Sequence, residues 1–327
     1  MGNAHAIGAG IGAGGVTAPP ARRIEIVAPA KLNLGLEVIA RRGDGYHELA
    51  TIFLAVGLCD RLTLSPLPFA GRQEPLAPLS FTSSDPSLTT PDNLVLRALH
   101  ALREETGFRG GADVHLHKMI PAAAGLGGAS SDAAAALLAA RELWRLDLLD
   151  EGLANVAAAI GSDAPFFLRG RCALGRGRGE ILESLPVPEG LWFVLVVPRV
   201  TMAEKTKRLY ELLAPDDFSD GSRVLAQADR LRARLPLDPS LLGNAFGRPL
   251  AALVPEVRDL REVLRRSGAK TAALSGAGPA HYVPLYDPER AHHLAASLRE
   301  QLGAGAAVDV VAVCAGSPHV QEVQEVQ

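Results

Sequence analysis

The stretch PAAAGLGGASSDAA, Pro121 to Ala134, constrains the fold more than any other part of the chain. It follows Val114 to Ile120, where apolar and polar residues alternate as in a strand that Pro121 brings to a stop. It leads into Ser131 to Leu146, whose run of alanines predicts a helix. Gly125, Gly127 and Gly128 let the intervening loop take tight positive-φ turns and bring main chain close to a ligand. The loop's N–H groups, with those of the first helical turn, have no intrahelical acceptor and lie at the positive end of the helix dipole. The pattern therefore predicts a cradle for an anion, phosphate above all, to which Ser130 and Ser131 add hydroxyl donors or oxygen ligands for magnesium. The plainer alternative is a helix start capped by Ser130, Ser131 or Asp132, with the glycines serving only the turn. A Walker loop is excluded, because Gly268-Ala269-Lys270-Thr271 puts alanine before the lysine and no other stretch comes nearer. The adjacent pair Gly127-Gly128 likewise breaks the dinucleotide-binding spacing.

A second constraint lies nearer the start. Leu32, Leu34, Leu36 and Val38 share one face of a strand, Lys31 to Ile39, and Lys31, Asn33, Gly35 and Glu37 share the other. Lys31 and Asn33 then project side by side, about 7 Å apart. The chain has only five lysines against 28 arginines, so a lysine on this strand is unusual. An exposed strand lysine is the plainer reading. Arg42 to Gly45 reads as a turn, followed by Tyr46, His47 and the apolar stretch Leu49 to Leu58.

The 327 residues suffice for two domains, and 33 basic against 36 acidic residues leave a formal charge of −3. This near-balance argues against nucleic acid or a membrane surface as a partner, both of which select a basic excess. Hydrophobic residues at 48% exclude wholesale disorder, and no apolar run is long enough to span a bilayer as a helix. Cys59, Cys172 and Cys314 are scattered and odd in number, which suits a reducing, cytoplasmic setting. His115 and His117 alternate on one strand face with no third ligand nearby, and Arg230, Arg232 and Arg234 read as a wet helix face.

Helices are expected at Asn93–Glu105, Leu153–Ile160, Ala203–Leu213, Ser222–Leu235, Leu241–Leu253, Val257–Arg266 and Pro288–Leu302. Strands are expected at Leu191–Val197, on both sides of Ser275–Pro279, and at Val308–Cys314. Ser65–Pro91 reads as loops around one short strand, and Leu185–Gly190 as a seam between domains. The class is mixed α and β in two lobes.

The glycine loop resembles the second signature of the galactokinase, homoserine, mevalonate and phosphomevalonate (GHMP) kinase superfamily. Ala28 to Asn33, APAKLN, resembles its first signature, and Leu274 to Pro279, LSGAGP, its third, in the same order along the chain. The resemblance implies an N-terminal lobe like ribosomal protein S5 domain 2 and a ferredoxin-like C-terminal lobe, with ATP and Mg2+ as cofactors. Domain limits of 1–21 for a flexible tail, 22–188 for an ATP-binding domain, 189–318 for a C-terminal domain and 319–327 for a frayed end follow. It places ATP on Pro121, Ala122, Ala123, Ala124, Gly125, Leu126, Gly127, Gly128, Ala129, Ser130 and Ser131, beside a third loop with Ser275, Gly276 and Gly278.

Ala28 to Leu49 is similar in particular to the superfamily branch whose small-molecule acceptor is a cytidine diphosphate-linked methylerythritol, phosphorylated on its 2-hydroxyl in the non-mevalonate route to isoprenoids. In that branch the aspartate matching Asp163 is the general base, and Lys31 matches the cation that stabilises the developing alkoxide. Out of context, Asp163 before Ala164-Pro165 would simply cap a short helix. Asn33, Tyr46 and His47 match substrate contacts, the last two holding the cytidine base. The branch's second aromatic is absent, since Thr206 stands in its place with Tyr210 one turn later. Mevalonate, homoserine or sugar acceptors, or a non-catalytic nucleotide-binding regulator, are the competing readings. The Gly45-Tyr46-His47 element opposes the first group, and retention of Lys31 with Asp163 opposes the regulator.

Overall fold

The computed structural model describes residues 21–67, 76–200, 202, 204–269, 271–314 and 320–326. The glycine- and alanine-rich start, expected as a flexible tail, lies outside them, as do Thr201, Ala203 and Lys270. Two long strands, β1 (Ala21–Arg41) and β2 (His47–Leu67), form an antiparallel hairpin around the turn after Arg41. Next come β3 (Leu79–Ser83), α1 (Leu94–Thr106), β4 (Gly111–His117), α2 (Gly128–Leu143), α3 (Asp150–Ile160), α4 (Ala164–Arg169), β5 (Cys172–Gly177) and β6 (Ile181–Ser184). The outer half of β2 pairs with β4, the inner half pairs with β5, and β3 lies parallel to β4.

The second lobe holds β7 (Trp192–Pro198), α5 (Lys205–Glu211), α6 (Ser222–Arg232), α7 (Gly247–Leu253), α8 (Pro255–Arg266), β8 (Ala273–Leu274), β9 (His281–Leu285), α9 (Pro288–Leu302) and β10 (Ala306–Ala312). Its sheet runs β10-β7-β9-β8, with α8 and α9 supplying a separate apolar core against it. The chain then returns to the first lobe, where β11 (Val320–Val326) pairs antiparallel with the start of β1. This end was expected to fray. Backbone pairing along a sheet edge needs no apolar face, so a polar repeat carries no signal for it.

Register explains how one hairpin serves both lobes. On β1 the pairing shifts between Pro29 and Ala30. Before the shift, Ile24, Ile26 and Ala28 pack with α1, α2 and α3. After it, Leu32 and Leu34 pack with Phe193, Leu195 and Tyr282 of the second sheet. The lobes therefore share an apolar core, and Leu185 of the expected seam is part of it. The opposite strand face, with Lys31, Asn33 and Glu37, is also buried, because the glycine loop and the second lobe close over it.

Local structure departs from expectation at two further places. The expected helix Leu241–Leu253 begins only at Gly247, because Leu36 N–H donates to Gly243 O and Ala245 N–H donates to Leu36 O, holding that segment extended beside β1. The β5–β6 hairpin was not anticipated, whereas α4 is the short helix weighed as the plainer reading after Asp163. Among the described residues no helix is long and apolar enough to cross a membrane.

Candidate active site

Lys31 sits in the middle of β1, only 4% exposed, and its main-chain N–H donates to Leu126 O of the glycine loop at 2.9 Å. Its Nζ donates to Asn33 Oδ1 at 2.6 Å and lies 3.5 Å from Asp163 Oδ2. Burial pulls the ammonium pKa down, and the Asp163 charge opposes that fall. Asn33 is held in turn by donating to Thr51 Oγ1 at 2.8 Å, and Thr51 donates to Gly35 O at 2.7 Å. From the second lobe, Tyr282 O–H donates to Asn33 O at 2.7 Å. This relay fixes the lysine in one rotamer and leaves its remaining protons for Asp163 and a ligand.

Asp163 precedes α4 but does not cap it: its side chain accepts no hydrogen bond from the first turn. The carboxylate, about a third exposed, turns toward Lys31 instead. Gly161, two residues earlier, abuts Ser130 of the glycine loop.

The two glycine loops interlock over this pair. A Cβ on Gly125, which has φ +84°, would stand 2.3 Å from Ser275 O and 2.8 Å from Gly278 N, so only glycine fits. Ser275 Oγ–H donates to Gly125 O at 3.0 Å, and Ala280 N–H donates to Ala124 O. Asn244 pins the third loop by donating to Leu274 O and Gly276 O, both at 3.0 Å. A Cβ on Gly127 would stand 2.9 Å from Lys31 Cγ, which shows how closely the loop lies on the lysine.

Two cavities adjoin the neighbours of this pair, one at Gly127, which lies against Lys31, and one at Ser162, next to Asp163. One, of about 380 Å³, is lined by Pro121 to Ser130 with Leu88, Asn93, Lys118 and Asp132. The other, of about 640 Å³, is lined by Tyr46, His47, Ser162, Thr206 and Tyr210, with Arg41, Arg178 and Lys207 as its cations and Glu211 as its one acidic lining residue. His47 stacks on Tyr210 with ring centroids 4.4 Å apart, and the Arg178 guanidinium lies 4.6 Å over the Tyr46 ring. Burial and the Arg41 charge hold the His47 pKa below its ordinary value, so at neutral pH the ring offers one donor and one acceptor.

The GHMP kinases N terminal domain matches residues 93–171 and the GHMP kinases C terminal domain matches residues 231–304. The 4-diphosphocytidyl-2-C-methyl-D-erythritol kinase of Moorella thermoacetica is 40% identical over 283 residues, 85% of this chain and 95% of that protein. The chain belongs to the 4-diphosphocytidyl-2-C-methyl-D-erythritol kinase family. A crystal structure of 4-(cytidine 5'-diphospho)-2C-methyl-D-erythritol kinase superposes with a TM-score of 0.73 at 34% identity, covering 89% of this chain and all of that one. Homoserine kinase from Cytophaga hutchinsonii shares the fold at 21% identity, with a TM-score of 0.71 over 91% of this chain and 97% of that one.

In this member of the 4-diphosphocytidyl-2-C-methyl-D-erythritol kinase family, the residues singled out by sequence fall into three groups. Lys31, Asn33 and Asp163 meet; Pro121 to Ser130 wall one cavity; Tyr46 and His47 wall the other. Ser131 is placed differently, being 1% exposed with its hydroxyl turned into the protein and absent from the cavity wall. Ser275, Gly276 and Gly278 brace the glycine loop from behind and do not line its cavity. His115 and His117 are exposed on β4, and Arg232 pairs with Glu183 and Asp229 at the surface.

Sequence reading missed Thr51, Tyr282 and Asn244, which act through main-chain atoms of distant strands. It also missed a buried cluster in which Lys118 pairs with Asp60 and Asp132 beneath the loop. Burial pushes the Asp132 carboxyl up to about 8 against the pull of Lys118. Lys118, one of the five lysines and three residues before the loop, was the available signal.

Proposed function

We propose that the protein transfers the γ-phosphoryl group of ATP to the 2-hydroxyl of 4-diphosphocytidyl-2-C-methyl-D-erythritol, a step of the non-mevalonate route to isoprenoids. One observation carries this reading: a buried lysine paired with a part-exposed aspartate is flanked by Gly127, in the wall of the glycine-loop cavity, and by Ser162, in the wall of a cavity lined by aromatic rings and cations. Amides at a helix start suit the donor's phosphates. Tyr46 and the His47–Tyr210 stack suit a pyrimidine ring, and Arg41, Arg178 and Lys207 suit a diphosphate. Tyr210 then supplies the ring that Thr206 lacks.

Asp163 takes the proton of the acceptor hydroxyl, and the Lys31 ammonium balances the charge that develops on that oxygen. The transition state of phosphoryl transfer is loose, so in-line placement by the two cavities contributes more than nucleophile strength. Magnesium fits as an ion carried by the nucleotide. Among the described residues no three His, Cys, Asp or Glu stand together, so the protein offers it at most an oxygen or two, from Ser130 and from the unpaired Oδ1 of Asp132. When bound, the ion neutralises charge on the β- and γ-phosphates.

Tyr46→Ala is expected to raise KM for the cytidyl acceptor about tenfold or more and to leave KM for ATP within about twofold, since a stacked base is held by about 1–3 kcal/mol. Steady-state titration of each substrate checks this, and equal effects on both would detach Tyr46 from the acceptor cavity. The function itself is tested by measuring ADP release with the cytidyl acceptor, mevalonate, homoserine and galactose. Turnover is expected with the first alone; comparable kcat/KM on any other acceptor would overturn the assignment.

A further inference from the structure

Lys205, the first residue of α5, belongs to none of the three signatures, yet it touches both glycine loops. Its Nζ donates to Ala123 O in the first and to Gly278 O in the third. The same helix turns Thr206, Lys207, Tyr210 and Glu211 into the acceptor cavity. A seven-residue helix thus carries one wall of the acceptor site on its cavity-facing side and a clasp on the donor loops at its first residue.

The charge of this lysine is unusual in its surroundings. Among the described residues no carboxylate lies within 4.0 Å of its Nζ, and its two partners are neutral carbonyls. Burial lowers its pKa to about 8 with no opposing anion. An ammonium has three donors, and two are spent on the loops. A half-buried cation without a counter-charge, set where the phosphate loops meet, is most stable once an anionic group arrives.

We propose that Lys205 is a positioning residue that couples the two substrate sites, clasping the phosphate-binding loops to the helix that walls the acceptor cavity and spending its third donor on phosphate. The proposal rests on the assignment of the two cavities made above. Ordering α5 against a base in the acceptor cavity then orders both loops, so that the second ligand binds to a site already set. By linkage the effect is reciprocal.

The test is calorimetric titration of the full chain with the magnesium complex of the non-hydrolysable ATP analogue AMP-PNP, with and without saturating CMP. In the wild type CMP is expected to tighten AMP-PNP by about fivefold or more, and AMP-PNP to tighten CMP by the same factor. In Lys205→Met, CMP alone should bind within about twofold of wild type, which also reports a folded acceptor site. AMP-PNP alone should weaken about tenfold, and the mutual tightening should vanish. Lys205→Arg, which keeps a cation, should recover part of the tightening. An unchanged coupling factor in Lys205→Met, or no coupling in the wild type, would overturn the proposal. If CMP fails to bind the wild type, the acceptor assignment falls instead. The AMP-PNP arm then decides the phosphate role of Lys205, an unchanged affinity in Lys205→Met removing it.

Discussion

Asp163→Asn is expected to lower kcat by about 10²–10⁴ while ATP affinity stays within about twofold. Asparagine keeps the size and shape of the side chain, so the contact with Lys31 survives in weakened form and α4, which the carboxylate does not cap, is undisturbed. What is lost is the group that accepts the acceptor's proton. Because Asp163 is not in the wall of the glycine-loop cavity, nucleotide binding has no reason to change. Single-turnover phosphorylation and equilibrium nucleotide binding, measured on the same preparation, separate the two. Near-wild-type turnover would assign the proton to another acceptor.

Lys31→Met should cost about 10²–10³ in kcat and should lower the melting temperature by only a few degrees, the loss of one donor to the buried Asn33 Oδ1. A cation that is 4% exposed is retained at the expense of its hydration, and an apolar side chain of similar length fits the same channel beneath Gly127. The loss therefore appears in the chemical step, where the charge on the acceptor oxygen goes unbalanced. Thermal unfolding and kcat measured together check both halves. A large fall in melting temperature with modest kinetic loss would make Lys31 a structural residue.

The positions of chemistry were legible in sequence where the spacing was local. The alternation that puts Lys31 and Asn33 on one strand face, and the strand, loop and helix around Gly125, follow from residue period and glycine geometry alone. The meeting of Lys31 with Asp163, 132 positions apart, was reached only through likeness to a family, because no local pattern encodes it. On residues alone Asp163 read equally well as a helix cap; the structure shows the cap position without the cap hydrogen bond.

Supports such as Thr51, Tyr282 and Asn244 were illegible for a different reason. Thr51 and Tyr282 each donate to a main-chain oxygen of β1 and Asn244 to two of the third loop, partners brought near by long-range register that no local pattern encodes. Ser131 was misplaced because helix phase decides which of two adjacent serines faces the cavity, and α2 begins at Gly128, three residues before the expected start. Tyr210 was readable as a substitute for the aromatic missing at Thr206, and one helical turn puts both on the wall of the same cavity.

The central claim is that two different ligands approach Lys31 and Asp163 from the two cavities, a pyrimidine nucleotide among the rings and a triphosphate over the amides. Inhibition of the steady-state reaction by CMP tests it most directly. CMP is expected to raise the apparent KM of the cytidyl acceptor in a competitive pattern and to leave ATP binding unopposed. Competition with ATP, and none with the acceptor, would contradict the account.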